Sequence, residues 1–194
     1  VWYKVGSSDE HDGITGLSHM LEHMMFRGTK TYGPGQFKKM MASIGAEVNA
    51  FTSRDCTAYY QMISVKDLPL VLKLEADRMH NLVISPAAFA KEHQVVLEER
   101  RTRIDDNPIG LMYLRYQAAA HVKGPYRRPV IGWLPDLQSY QLDDARTWYR
   151  QWYAPNNAVI IITGDVDPDK TFSLIQAYFS PLPAITLPQV KASP

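Results

Sequence analysis

The chain has 194 residues, and its 21 basic and 20 acidic side chains leave a formal net charge of +1. A chain of this length, with 45% hydrophobic residues, can bury the core of one domain. This near balance of charge gives no electrostatic reason to expect a nucleic-acid partner. The single cysteine, Cys56, excludes an internal disulfide framework. No apolar run reaches the ~18 residues of a membrane-spanning helix, so no membrane span is expected.

The first part of the sequence alternates between predicted strands and helices. Residues 1–6 read as a strand that has already begun, so we expect other residues to precede it in the intact protein. The next helix is predicted to run to about Arg27, because Gly28 suits the position just past a helix end. A second helix is expected after Gly35, where apolar residues recur at helical spacing before Gly45.

Two extended runs and two longer helices are predicted next. Residues 46–53 and 56–63 are extended runs on either side of a short polar turn, which predicts a β-hairpin. Residues 66–83 are predicted to form a helix. A long helix is then expected from Pro86 to about Asp105.

The helix predicted before Gly28 carries two histidines four residues apart with a glutamate between them, His19, Glu22 and His23. Residues at this spacing lie on one face of an α-helix, about 5 to 6 Å apart, so two neutral imidazoles can reach one zinc ion. The order His-x-x-Glu-His is the inverzincin signature. Glu22 is close enough to the two ligands to transfer a proton at the metal.

A catalytic zinc site needs a third protein ligand, and the long helix from Pro86 offers two candidates. Glu92 and Glu99 are seven residues apart, which is about 700° of helical rotation, so they project from nearly the same face. Glu98 points about 100° away. If this helix packs against the histidine helix, either Glu92 or Glu99 completes a site of two imidazoles, one carboxylate and an open position for water. Spacing alone does not choose between them.

Together, His19, Glu22 and His23 followed by Glu99 resemble the pitrilysin family of zinc peptidases, which includes insulin-degrading enzyme and the mitochondrial processing peptidase. The similarity covers nearly the whole chain. Three further segments resemble the family: 45–52, 126–133 and 153–166.

The resemblance implies a zinc metalloendopeptidase and a role for each site residue. In the family, the glutamate at the spacing of Glu99 is the third zinc ligand beside His19 and His23, and Glu92 is then the carboxylate that orients the site. Glu22 is the implied general base, which takes a proton from zinc-bound water and later delivers it to the leaving amine.

The resemblance also implies a fold and a mode of substrate binding. The expected fold is α+β, a two-layer sandwich in which a mixed, mostly antiparallel sheet carries helices on one face. Asn49, Ala50 and Phe51 are similar to the edge strand of the family, which binds an extended peptide or unfolded polypeptide by strand addition. The zinc site is expected between the two ligand-bearing helices, with this strand as its floor.

The implied domain organisation is one repeat of a larger enzyme. Residues 1–182 are expected to form a zinc-binding peptidase repeat that lacks its first residues, and the Pro-rich segment 183–194 is expected to link it to a following domain. Enzymes of the family combine two homologous halves around the substrate, so a homologous second domain or subunit is the expected partner. This piece alone is expected to bind zinc and to have weak or no peptidase activity.

Two other functions stay open from the sequence. Some family members are noncatalytic partner subunits, although this chain keeps all four residues whose loss would favour that reading. A structural zinc domain would need a fourth protein ligand. The remaining histidines are the candidates, although none has ligand spacing to the pair: His11, His80, His93 and His121. The sequence does not name the substrate or the compartment, and the resemblance suggests a bacterial periplasm or cell envelope.

Overall fold

The computed structural model describes residues 1–189. The strands are β1 (Trp2–Tyr3), β2 (Glu47–Thr52), β3 (Thr57–Met62) and β4 (Ala158–Val159). The α-helices are α1 (Leu17–Met24), α2 (Gln36–Ser43), α3 (Leu68–Asn81), α4 (Pro86–Arg100), α5 (Pro108–Ala120), α6 (Leu134–Ser139), α7 (Leu142–Trp152) and α8 (Pro168–Phe179). None of the helices in this part of the chain is long and apolar enough to cross a membrane.

The four strands form one sheet in the order β2-β3-β1-β4. The α+β fold with helices on a largely antiparallel sheet is confirmed. Every strand pairing within residues 1–189 is antiparallel, so the sheet is not mixed. The reason is that β2 and β3 form a hairpin and β1 pairs antiparallel to both of its neighbours. This order leaves β2 at an open edge of the sheet.

The two faces of the sheet differ in burial. Tyr3 and Tyr59 point into the main core, where they are buried together with Met20 and Leu21 of α1. The opposite face is exposed, and Phe51 there contacts the ring of Trp2 edge-on at 5.4 Å between ring centroids. The helices therefore cover one face of the sheet, as the sequence predicted.

Helix α1 is held in place at its first turn. The buried carboxylate of Glu10 accepts hydrogen bonds from the backbone N–H groups of Gly16 (2.7 Å) and Ser18 (2.8 Å). The indole N–H of Trp148 in α7 donates to the Ser18 hydroxyl at 3.2 Å. Gly16 has φ +89°, and a Cβ atom there would lie 2.5 Å from the carbonyl oxygen of Ile131. Position 16 therefore requires glycine for both backbone conformation and space.

The observed helices follow the predicted ones with shifted ends. The helix predicted to reach Arg27 ends at Met24, and a turn continues it. The helix predicted to end near Asp105 is α4, which ends at Arg100 and continues as a π-helical turn through residues 101–105. The first predicted strand is only the two residues of β1.

The segment proposed as a linker is only partly within the described residues. Residues 183–189 contain no helix or strand, whereas 190–194 lie outside the part of the chain that the structure describes. The backbone of Ile185 is bound to the Asn156 side chain, donating at 3.1 Å and accepting at 2.9 Å. The linker role of 183–194 and the repeat boundary at 182 stay predictions.

Glu10 makes the stability of the chain depend on pH. Burial raises the pKa of Glu10 to about 7, even though the backbone N–H groups of Ser18 and Gly16 lower it. Because the folded state holds this proton more tightly than the unfolded state, the contribution of Glu10 to stability falls as pH rises from about 4.5 through about 7.

We expect the free energy of unfolding of the natural chain to fall relative to that of Glu10→Gln between about pH 5 and pH 8, by at most ~3 kcal/mol. Urea unfolding followed by tryptophan fluorescence at several pH values measures this difference. Two curves that stay parallel over the whole range would contradict it.

Candidate metal centre and active site

The packing of α1 against α4 brings together three side chains that could hold a metal ion. One nitrogen each of His19 and His23 and one carboxylate oxygen of Glu99 all lie within 4.8 Å of one another. His19 Nε2 is 3.6 Å from Glu99 Oε1, and His23 Nε2 is 3.3 Å from Glu99 Oε2. Of the two glutamates that spacing left open, Glu99 is therefore the one that faces both imidazoles.

Glu92 lies behind the cluster rather than in it. Its Oε2 is 3.3 Å from Nδ1 of His23, the ring nitrogen on the side away from Glu99. The other carboxylate oxygen, Oε1, is 2.5 Å from Nη2 of Arg27. Glu92 is fully buried, so this guanidinium offsets the cost of burying a carboxylate. A carboxylate on the second nitrogen of a ligand histidine fixes the orientation of the ring.

Arg27 was not identified from the sequence. A signal for it was present, because Arg27 is four residues after His23 and a residue at that spacing returns to the same side of a helix. The turn that follows α1 preserves this relation, and Arg27 contacts the buried glutamate from there.

The donor atoms of the cluster, two imidazoles and one carboxylate, suit a zinc ion. Burial, followed by the nearby charge of His23, lowers the pKa of His19 to about 4, so this imidazole stays neutral and keeps a lone pair. Burial also lowers the pKa of His23, but the hydrogen bond and charge of Glu99 outweigh it and raise the pKa overall. The hydrogen bond from His23 in turn lowers the pKa of Glu99. Two imidazoles and one carboxylate are a known donor set for catalytic zinc, so the residues fit that ion.

Glu22 lies apart from the three donors and is held by the sheet. Its Oε2 accepts a hydrogen bond from the hydroxyl of Thr52, the last residue of β2, at 2.6 Å. Burial raises the pKa of Glu22, although the Thr52 hydroxyl acts in the opposite direction. Thr52 is a second site residue that sequence reasoning missed. The alternation along β2 puts its side chain on the same face as Ala50, and that was the available signal.

Asn49, Ala50 and Phe51 lie beside this cluster on the open edge. The Asn49 side-chain oxygen accepts a hydrogen bond from the Ala50 N–H at 2.9 Å, so this amide is bound to a side chain rather than to β3. The side chains of Asn49 and Phe51 are exposed. The structure therefore brings the predicted substrate strand and the predicted metal donors together.

These residues share one cleft of about 650 Å³. The metal donors, Glu22 and residues 49–52 all line it, and α5 forms part of its wall. A second cleft of about 460 Å³ adjoins it. The two clefts share Glu22, His23, Asn49 and Ala50. The open strand edge therefore borders two adjoining clefts.

The remaining histidines do not contribute to the centre. His93 Nε2 binds the carbonyl oxygen of Leu137, and His11 Nδ1 lies 3.0 Å from the carbonyl oxygen of Asp12. Within residues 1–189, His19, His23 and Glu99 form the sole group with metal-ligand geometry, and no fourth protein donor joins it. A structural zinc domain with four protein ligands is therefore not supported.

The fold and the site define a class of protein. Helices on one face of an antiparallel sheet, a His-His-Glu cluster and a separate glutamate beside an open strand are the parts of a metal-dependent hydrolase domain. Residues 1–132 match the model for the insulinase family, peptidase family M16, and residues 139–194 match the M16 inactive-domain model. The chain therefore belongs to peptidase family M16, a family of zinc metalloproteases that includes the pitrilysin-type enzymes resembled by the sequence.

Similar proteins carry related names. The chain is 40% identical over 182 residues to a zinc protease, PqqE, of Helicobacter pylori. The matched residues make up 94% of this chain and 41% of that relative. A protease structure from the same organism superimposes with a TM-score of 0.92 at 39% identity, covering 100% of this chain and 46% of the other. The structure of the periplasmic protease PqqL of Escherichia coli superimposes with a TM-score of 0.90 at 26% identity, covering 100% of this chain and 22% of the other. The chain thus spans less than half the length of these relatives.

Zinc binding separates the roles of the two glutamates. We expect the metal-stripped chain to bind one zinc ion, with Glu99→Gln weakening the affinity more than Glu92→Gln, since only Glu99 faces both imidazoles. Loss of an orienting carboxylate typically costs about 10- to 100-fold in affinity. Isothermal titration calorimetry measures both effects.

The matched control is Glu98→Gln on the same helix. Glu98 is exposed and its carboxylate binds Arg101 instead of the cluster, so its substitution leaves zinc affinity unchanged. Equal zinc affinity in the natural chain and in Glu99→Gln would contradict the ligand assignment.

Proposed function

We propose that this chain is the zinc-binding catalytic unit of a metalloendopeptidase, with Glu22 as the general base. The observation that carries the proposal is the placement of His19, His23, Glu99 and Glu22 in one cleft with the open edge of β2. Membership of a zinc metalloprotease family supports it. All four residues lie in the part of the chain that matches the insulinase model rather than the inactive-domain model.

His19, His23 and Glu99 would hold the metal. A zinc ion bound there would polarise the scissile carbonyl and lower the pKa of a bound water. Glu92 keeps the His23 ring turned toward the centre, and Arg27 holds Glu92 from the other side. These contacts fix the ligands before substrate binds, so little reorganisation is needed during the reaction.

Glu22 is the proton carrier in this proposal. It accepts the proton of the attacking water and delivers it to the leaving amine. Burial raises the pKa of Glu22 above its usual value, which makes its carboxylate a stronger base. The Thr52 hydroxyl occupies one carboxylate oxygen and so leaves the other for the proton transfer.

The substrate is an extended peptide or unfolded polypeptide. Its backbone would add to the edge of β2 at Asn49, Ala50 and Phe51, and the Ala50 N–H would exchange the Asn49 side chain for a substrate carbonyl. Two adjoining clefts border this edge, which gives the substrate chain room on more than one side of Glu22 and His23. That arrangement favours cleavage within a chain.

Activity is proposed to need more than this chain. The chain spans about 41% of the length of the PqqE relative, so a homologous second domain or subunit is the proposed partner. The name of the similar periplasmic protease supports a periplasmic or cell-envelope location. The alternative function is a noncatalytic partner subunit of a peptidase complex. The match of residues 139–194 to an inactive-domain model is the observation that favours this alternative.

The test is Glu22→Gln in the full-length protein. We expect hydrolysis of a fluorogenic unfolded polypeptide to fall by about 100- to 10,000-fold, since that is the typical contribution of a general base, with zinc content unchanged. Glu47→Gln, at the exposed start of β2, is the control and keeps full activity. Residual activity near the natural level in Glu22→Gln would exclude its role. A zinc-loaded natural protein that cleaves no peptide would favour the partner-subunit alternative.

Thr52 is expected to act by positioning Glu22. Thr52→Val keeps the shape but removes the hydroxyl, so kcat should fall about tenfold, as expected when a hydrogen bond to a charged group is lost. KM and zinc affinity should not change. Thr52→Ser retains the hydroxyl and should restore most of kcat. Steady-state kinetics measure the three proteins, and a Val variant with normal kcat would remove Thr52 from the mechanism.

A further inference from the structure

The cleft that holds the donor cluster has more positive than negative side chains. Two carboxylates line it, those of Glu22 and Glu99. Four guanidinium groups also line it: Arg54, Arg103, Arg127 and Arg128. The metal-ligating role proposed for Glu99 reduces the negative charge still further. The cleft is therefore an electropositive space although the chain as a whole is almost neutral.

Two of these arginines already have carboxylate neighbours. Arg103 Nη1 is 2.7 Å from Glu99 Oε1. Arg128 Nε is 3.6 Å from Asp12 Oδ1, and its Nη1 donates to the Ser8 carbonyl oxygen at 3.4 Å. Their charges are at least partly offset within the chain.

The other two, Arg54 and Arg127, have no carboxylate within ion-pair distance among residues 1–189. Arg54 Nη2 donates to the side-chain oxygen of Gln117 in α5 at 2.9 Å, and its Nε donates to the Tyr126 carbonyl oxygen at 3.4 Å. These neutral acceptors fix the position of the Arg54 guanidinium without cancelling its charge. Arg127 is exposed in the short turn formed by residues 125–127.

The segments that carry these two arginines are tied together. Arg54 lies in the turn between β2 and β3, two residues after Thr52. The hydroxyl of Tyr126, next to Arg127, donates to Asp55 Oδ2 at 2.5 Å, and the Arg54 guanidinium lies 5.7 Å from the centre of the Tyr126 ring. Both charges therefore belong to one ordered corner at the end of the open strand.

We propose that Arg54 and Arg127 form a carboxylate-binding subsite, so that the cleft prefers peptides with an acidic group near the scissile bond. This inference rests on the proposed peptidase function. Arginine suits the role because its planar guanidinium binds a carboxylate through two parallel hydrogen bonds. Tyr113, Leu114 and Ile131 also line the cleft, and an apolar wall strengthens a charge interaction beside it. The acidic group is either an Asp or Glu side chain or the terminal carboxylate of the substrate.

The test compares fluorescein-labelled peptides that differ only in charge. One pair has Glu or Gln at the centre, and a second pair ends in a free acid or an amide. Fluorescence anisotropy measures their binding to the full-length, zinc-loaded protein with Glu22→Gln, in which turnover is suppressed. We expect the acidic peptide of at least one pair to bind about five- to tenfold more tightly, and added salt to reduce the difference.

Variants then locate the preference. Arg127→Gln should lower the preference for the acidic peptide. The double variant Arg54→Gln/Arg127→Gln should abolish this preference, while binding of the neutral peptides stays the same. Arg127→Glu should favour a peptide with Lys in place of Glu. Arg115→Gln is the control, because Arg115 is exposed on α5 outside the cleft lining. The side chain of Arg127 makes no hydrogen bond or ion pair within residues 1–189, and its backbone N–H donates to the Gly124 carbonyl oxygen whatever the side chain, so its single variants test the proposal even if Arg54→Gln impairs folding.

The outcomes identify the bound carboxylate and separate failure of the subsite from failure of the proposed peptidase function. A preference for internal Glu assigns the subsite to a side chain, and a preference for the free acid assigns it to a chain terminus. Equal binding within both pairs, or a preference that survives the double substitution, overturns the subsite. A carboxylate preference in a natural protein that hydrolyses none of these peptides overturns the catalytic proposal alone. Hydrolysis of all four peptides with equal kcat/KM overturns the subsite alone.

Discussion

The contact between α1 and α4 is the interaction on which the rest of the site depends. It places Glu99 between His19 and His23, and it requires the two helices to meet at one depth and one rotation. The N-terminal end of α1 is fixed by the Glu10 carboxylate, and its C-terminal end by contacts to Glu92. A small shift of either helix would separate the donors, and the contacts at both ends of α1 oppose such a shift.

Burial in the same cleft has opposite effects on two neighbouring groups. It lowers the pKa of His19, which keeps a ligand neutral, and it raises the pKa of Glu22, which favours proton exchange. Both shifts follow from one cause, since a low-dielectric surrounding disfavours whichever form is charged. The chain therefore needs no separate device for each residue. Burial is the largest cause of both shifts, and it acts in the direction that suits the proposed ligand and the proposed base.

The sequence predicted the hairpin, the first four helices and the candidate ligand positions, because these depend on local periodicity and spacing. It could not choose Glu99 over Glu92 by spacing, since seven residues return to nearly the same helical face, and only the resemblance separated them. Helical spacing and strand alternation place Arg27 and Thr52 on the side of the site, but the partners they contact there, Glu92 and Glu22, are set by tertiary packing. Helix α5 was also not predicted, and it has no buried residue, so its sequence shows no core-facing side. The final strand, β4, is only two residues long.

The open edge of β2 also has a consequence for the specificity and self-association of the protein. Backbone groups at a sheet edge are the same for every sequence, so they would accept any extended chain, including a strand of a second copy. The Asn49 side chain already satisfies the Ala50 N–H, and an incoming strand must displace it. This internal hydrogen bond competes with an incoming strand for the Ala50 N–H. A strand that pairs only at this edge therefore gains about 1 kcal/mol less from the Ala50 N–H than it would from a free amide.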